Sequence, residues 1–244
     1  MSTFHDPRPT AAVVIPCLNE EAAIGLLVAD VRDVAALPVR ITQILVVDNG
    51  STDHTADVAE AAGATVVSEP RRGYGRACLT GVEAAGGVEI IVLMDGDRSD
   101  RPEELPRLLE PLLRGEADLV IGSRLLGSRE PRSLLPQQIV GNKVAALLLR
   151  LLYGVRVTDI GPFRVIRRAT LLGLGMREMT YGWSVEMIAR AARAGLRIRE
   201  VPVSYRARAG GVSKVSGSLR ASARAGWRII GAILRTRLAP PGSG

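Results

Sequence analysis

Along most of this chain, short runs of consecutive apolar residues alternate with stretches in which apolar residues recur every three or four positions. Residues 11–15 (AAVVI), 90–94 (IIVLM) and 117–121 (ADLVI) read as buried strands, and 41–47 (ITQILVV) and 65–67 (TVV) as two further strands. Between the first two, Ile24, Leu27, Val28 and Val31 lay one apolar stripe along a helix from residue 20 to about residue 36. Asn19 reads as its N-cap, ahead of Glu20 and Glu21. Ser51 reads as the N-cap of a second helix to about residue 62, and a third follows the basic loop 69–76 (EPRRGYGR) to about residue 85. Residues 102–113 keep helical spacing, but Pro106 and Pro111 predict a short or kinked helix. This alternation predicts an α/β fold with a doubly wound, mostly parallel sheet flanked by helices.

Beyond the fifth strand the pattern loosens. Residues 125–136 read as a mobile basic loop, 137–153 as a leucine-rich helix, 159–168 as a turn and a strand, 183–194 as a helix and 198–205 as a strand. Residues 218–238 are basic and amphipathic: Arg220, Arg224, Arg228 and Arg235 share a stripe, with Leu219, Trp227, Ile230, Ile233 and Leu234 read as facing away from it. That composition fits either a helix in a membrane interface or a surface helix packed on the domain.

The fourth strand changes the picture most, because it ends in Asp95-Gly96-Asp97. Two carboxylates so close stay ionised together when a cation sits beside them, and hard oxygen ligands suit Mg²⁺ or Mn²⁺ shared with substrate phosphates. An ordinary Asp-Gly-Asp turn is the competing reading. A net charge of +7 favours anionic partners. Aromatic residues make up 3%, too few for the stacking platforms that bind single-stranded nucleic acid, so no nucleic-acid partner is expected. Cys17 and Cys78 lack metal-site spacing, no secretory signal opens the chain and no stretch is apolar enough to span a bilayer. The expected location is cytoplasmic, with any membrane contact peripheral, on the inner face of the plasma membrane.

Seven stretches in order, VVIPCLNEE (13–21), VVDNGSTDHT (46–55), LMDGDRS (93–99), GSR (122–124), DIGPFR (159–164), EVPVSYRAR (200–208) and VSK (212–214), resemble the family 2 glycosyltransferases of the GT-A fold. The likeness is to the branch that loads a sugar onto dolichyl or polyprenyl phosphate. The proline-containing residues 1–10 read as a disordered start, and the resemblance implies a single GT-A domain over 11–216. Within that domain, 11–124 would bind the nucleotide sugar and 125–216 the acceptor, with the amphipathic helix at 217–238. It implies an inverting, metal-dependent transfer of a hexose from a UDP- or GDP-sugar to a polyprenyl phosphate.

By the same resemblance, Pro16, Asn19, Glu20, Asp48, Arg72, Gly73, Asp95 and Gly96 would bind the nucleotide sugar. Asp95 and Asp97 would hold the metal, with Ser99 in a third ligand position. Arg124, Arg164, Arg206 and Lys214 would face the donor and acceptor phosphates. A phosphate acceptor needs no general base; for a hydroxyl acceptor Asp159 or Glu186 would serve. Simpler readings stand beside these: Asp48 in an Asx turn, Arg164 and Arg206 as surface charges, Asp159 as a cap and Glu186 as a solvated helix residue. The chain departs from the family in Asn49, where an aspartate is frequent, and in Cys17, where an aromatic residue or leucine is common. Three rival functions remain: a hydroxyl-acceptor glycosyltransferase, a non-catalytic nucleotide-binding module, and a sugar-phosphate nucleotidyltransferase. The last is disfavoured because Pro16-Cys-Leu-Asn-Glu20 stands where a Gly-rich loop would open the fold.

Overall fold

A computed structural model of the chain describes residues 6–131, 133–209 and 219–238, with only the backbone described over 219–225. The predicted Lys214 therefore lies outside the described residues. The strands are β1 (Thr10–Cys17), β2 (Arg40–Asp48), β3 (Thr65–Ser68), β4 (Ile90–Leu93), β5 (Leu119–Ser123), β6 (Arg164–Arg167) and β7 (Ile198–Pro202). The helices are α1 (Glu21–Arg32), α2 (Thr55–Ala61), α3 (Tyr74–Ala84), α4 (Leu105–Leu113), α5 (Pro136–Tyr153), α6 (Arg168–Gly173), α7 (Trp183–Arg193) and α8 (Leu219–Leu238).

One seven-stranded sheet runs in the order β3-β2-β1-β4-β6-β5-β7. All neighbours are parallel except at β6, which is antiparallel to both β4 and β5. The outer strands β2 and β3 are only partly buried, whereas residues 11–15 and 90–92 have no exposed surface. Their alternate side chains feed two layers. Val13, Ile15 and Val92 pack beneath α1 and α4, while Ala12, Val14, Ile91 and Leu93 pack beneath α3 and α7. Pro102–Glu104 forms a 3₁₀ turn leading into α4, which absorbs Pro106 in its first turn and carries Pro111 inside.

Several expectations are corrected. Asn19 does not cap α1; it sits at φ 53°, a left-handed conformation an asparagine tolerates, and Glu20 precedes the helix. Ser51 does not cap α2, which starts only at Thr55. The short helix α6 escaped the reading, having too few residues to show a period. The apolar set of α8 is split rather than shared: Ala232 and Ile233 are buried, whereas Trp227 and Leu234 are exposed. Among the described residues no helix is long and apolar enough to cross a membrane.

Candidate functional site

Because β1, β2, β3, β4, β5 and β7 all run the same way, the loops leaving them gather at one rim of the sheet, the place where open α/β sheets bind ligands. The reversed strand β6 starts at that rim, so the 159–163 turn joins it too. The Asp95–Asp100 loop lies at its centre. Asp95 is half-buried and accepts a hydrogen bond from the Tyr74 hydroxyl at 3.0 Å. Asp97 is buried; one of its oxygens accepts from the Ser99 amide at 2.9 Å and the other from Arg208 Nη2 at 2.7 Å and Nε at 3.2 Å. Arg98 takes a left-handed φ of 61°, costly for such a side chain. A two-pronged bond to Asp30 (2.7 and 2.9 Å) and a bond from Arg206 Nε to its carbonyl (2.8 Å) hold it there.

A third carboxylate belongs to this group. Asp100 is 1% exposed; its Oδ2 accepts from the Asp95 amide at 3.3 Å, and its Oδ1 has no partner among the described residues. Burial, then the charge of Asp97, pushes Asp95 up to about 7, and burial with both neighbours pushes Asp100 well above the carboxylate range. Arg124 and Arg208 pull in the opposite direction. Such a site is stabilised by added positive charge. Mg²⁺ is commonly held by one or two carboxylates with substrate phosphates completing its shell, and Asp95 and Asp97 fit that role. Among the described residues no three acid, histidine or cysteine side chains form a complete cage. Ser99, the expected third ligand, is buried, and its backbone carries the contacts: the amide to Asp97 and the carbonyl to the Arg206 amide.

On the β1–β3 side the rim is knitted largely by bonds between side chains and backbone. Asn19 accepts from the Thr52 amide at 2.8 Å, Ser51 Oγ accepts from the Asn19 amide at 2.9 Å, and Thr55 Oγ1 accepts from the Glu20 amide at 2.8 Å. Asp48 accepts from the Ser51 amide at 3.0 Å, so the turn-forming role is real. Asn49 is the organiser that sequence reasoning saw only as a departure. Its amide donates to the carbonyls of Glu69 (2.7 Å) and Arg71 (2.9 Å) and accepts from Gly73 N (2.8 Å), gripping the 69–73 loop. An aspartate could not donate either bond. Gly73 has φ 152°, and a Cβ there would stand 2.3 Å from the Met179 carbonyl oxygen. Arg72 is exposed over Gly50, and Pro16 is buried at the end of β1. Gly96 presses on Cys17: a Cβ would come 2.4 Å from Sγ, which leaves little space for a larger residue at 17.

The basic residues are redistributed relative to expectation. Arg124 meets Asp159 through two side-chain bonds (2.7 and 2.8 Å) and an amide bond (2.9 Å), and stacks 5.1 Å over the Tyr205 ring. Asp159 has no exposed surface; burial pushes it up, but the Arg124 charge and hydrogen bonds outweigh this and hold it low. Arg164 is neither a surface charge nor a phosphate ligand. It is fully buried, donating to the carbonyls of Gly161, Ser184 and Ile160, with burial lowering it to about 10. Glu186 is buried too, accepting from the amides of Arg177 and Glu178 and from Arg190 Nε. Neither Asp159 nor Glu186 is placed to take a proton from an acceptor hydroxyl. Arg206 faces Asp30 and braces the acidic loop from behind, whereas Arg208, two residues on, reaches Asp97 and Glu20. The 205–209 segment is seated by backbone bonds from Arg206 N to Ser99 O and from Ala209 N to Asp97 O. Beside it, a cavity of about 340 Å³ is lined by Gly127, Arg129, Glu130, Ser133, Leu134 and Ile139.

Comparison with known proteins agrees with this geometry. Residues 12–173 match the model of the family described as glycosyl transferase family 2. An uncharacterized glycosyltransferase of Mycobacterium tuberculosis is 44% identical over 223 residues, covering 89% of this chain and 96% of the relative. The polyprenol monophosphomannose synthase of Mycolicibacterium smegmatis is 35% identical, covering 94% and 92%. The undecaprenyl-phosphate mannosyltransferase of Micrococcus luteus is 34% identical, covering 84% and 87%. Among solved structures, glucosyl-3-phosphoglycerate synthase of Mycobacterium tuberculosis, in complex with Mn²⁺, UDP and glucosyl-3-phosphoglycerate, superposes with a TM-score of 0.75 at 25% identity, covering 97% of this chain and 82% of that one.

Proposed function

The chain belongs to glycosyl transferase family 2 and is a glycosyltransferase, and from that premise we propose that it moves a hexose from a UDP- or GDP-sugar to a polyprenyl phosphate, with inversion, at the inner face of the plasma membrane. The observation that carries the reading is the meeting, at one sheet rim, of the Asp95–Asp97 couplet, the unpartnered Asp100 Oδ1 and the Arg208 guanidinium.

Asp95 and Asp97 would hold Mg²⁺ or Mn²⁺, which when bound neutralises charge developing on the leaving diphosphate. Arg208 supplies fixed positive charge at the same place, and its buried Nη1 has no partner among the described residues, which leaves one donor for a phosphate oxygen. Arg208, rather than Arg206 or Arg164, is the residue we assign to that task. Asn49 positions the 69–73 loop, with Arg72 and Gly73, against the nucleotide. Asp159 keeps Arg124 in place, and Glu186 pins the 177–178 loop.

A lipid phosphate suits this site better than a hydroxyl acceptor. Such an acceptor is already an anion at neutral pH, and the two candidate bases are buried and bonded internally. The phosphomannose-type relatives point the same way. In the test, the protein is incubated with Mn²⁺ or Mg²⁺ and a panel of UDP- and GDP-hexoses, and nucleoside diphosphate release is followed. Detergent-dispersed undecaprenyl phosphate, 3-phosphoglyceric acid or no acceptor is supplied. Release that rises only with the polyprenyl phosphate supports the reading; equal or greater release with phosphoglycerate overturns the acceptor assignment.

A further inference from the structure

We propose that residues 175–182, between α6 and α7, form a strut that transmits the seating of α8 to the nucleotide-sugar site, and that Glu178 is its positioning residue. The proposal rests on the donor reading above for the site it serves. The segment contains no helix or strand of its own, so its shape is set by what holds it. Glu186 of α7 fixes one end, accepting from the amides of Arg177 (3.0 Å) and Glu178 (2.7 Å). Glu178 fixes the middle. Its side chain is 11% exposed; Oε1 accepts from both the amide (3.1 Å) and the hydroxyl of Thr180, and Oε2 accepts from Arg235 Nη2 of α8 at 2.6 Å. Arg228, also on α8, donates to the same Thr180 hydroxyl at 2.9 Å. Gly182 lets the two elements meet: a Cβ there would stand 2.9 Å from both Ala232 Cβ and Glu178 Cγ.

The other side of the strut bears on the start of α3. The Met179 carbonyl accepts from the Arg76 amide at 3.1 Å and leaves no room for a Cβ at Gly73. The Glu178 carbonyl oxygen would stand 2.3 Å from a Cβ at Gly75. These glycines flank Tyr74, whose hydroxyl bonds Asp95, and Gly73 closes the loop that Asn49 grips. Backbone packed against backbone cannot give way as the end of a flexible side chain can, so a shift of 178–179 moves the donor loop and the Tyr74–Asp95 contact together. The bonds differ in weight. Arg235 is 66% exposed, and an ion pair in water contributes little, whereas the Thr180 bonds to Glu178 are part-buried. The larger effect therefore belongs to Glu178.

One arm of the test needs no ligand. Hydrogen exchange of the full chain is followed at the Arg76 amide, with the amides of β1 and β4 as internal reference. Glu178→Ala should speed exchange at Arg76 by about tenfold. Arg228→Gln with Arg235→Gln should speed it by roughly threefold. Glu178→Gln keeps an acceptor for Thr180 and should return most of the difference, and β1 and β4 should exchange as in the parent. In the second arm, UDP and GDP binding with Mn²⁺ is read by calorimetry, beside steady-state transfer to detergent-dispersed undecaprenyl phosphate. Glu178→Ala should weaken nucleotide binding and raise the donor KM by about tenfold, with kcat within about twofold of the parent. Unchanged exchange at Arg76 in Glu178→Ala overturns the strut, as does a rise that β1 and β4 share. Faster exchange at Arg76 with the parent's nucleotide affinity and KM overturns the positioning role. Failure of the donor reading looks different: the parent itself then binds neither nucleotide, while the exchange arm still decides the strut.

Discussion

The two sides of the sheet rim are held in contrasting ways. On the β1–β3 side, Asn19, Ser51, Thr55 and Asn49 tie loop to loop through neutral side-chain-to-backbone bonds. On the β5–β7 side, the frame consists of buried ions: Arg124 on Asp159, Arg190 on Glu186, and Arg164 held by three carbonyls and the Met187 sulfur. Neutral bonds such as these stiffen the cradle, and the ionised groups among them, Asp48, Asp53 and the Glu69–Arg71 pair, are bonded within the same loops. Buried ion pairs fix a field, and they consume the charges that compose them. Many arginines near the rim are therefore structural, whereas Arg208 keeps one donor without a partner among the described residues.

The contrast is sharpest when carboxylates from the two settings are changed in turn. Asp97→Ala should cut transfer by about 10³-fold, because the lost stabilisation of developing charge is worth about 4 kcal/mol, while the melting temperature stays near that of the parent. Steady-state assay beside thermal unfolding checks this. Asp159→Asn should do the reverse: it strands a buried guanidinium and lowers stability by about 3 kcal/mol, with turnover per folded molecule falling far less. A chain that melts normally but has lost turnover would restore Asp159 as a base. The smallest effect is expected from Asn49→Asp, which sets a carboxylate against two carbonyl oxygens. Losing those bonds, worth about 1–2 kcal/mol, should loosen the 69–73 loop and raise the donor KM about tenfold at nearly constant kcat.

The sequence made the scaffold legible where a side-chain pattern is local and repeated. Uninterrupted β-branched runs located β1 to β5, and Asp95 and Asp97 followed directly from the end of one of them. The direction of β6 left no such trace, because antiparallel pairing depends on where the chain returns from, not on its own four residues. Arg206 and Arg208 were indistinguishable for a related reason. They are two residues apart, so alternation would put both on one face even if β7 continued past Pro202, and it cannot say which of them reaches the acidic loop. Asp100 was hidden inside a stretch already explained by its neighbours; only its unpartnered oxygen exposes it. The buried fate of Arg164 could not be read from DIGPFR, since its partners at Ser184 and Ile160 are backbone atoms with no sequence signature.

The reversed strand has a consequence for how such a protein can diversify. β6 is the seam that closes the β4 edge and at the same time anchors β5. A chain ending after β5 would leave β4 as a bare margin of unsatisfied amides and carbonyls, inviting aggregation. Any exchange of the later half must therefore return a strand to this position. New acceptors are more readily accommodated by altering what hangs beyond the seam, while the stitch itself stays in place.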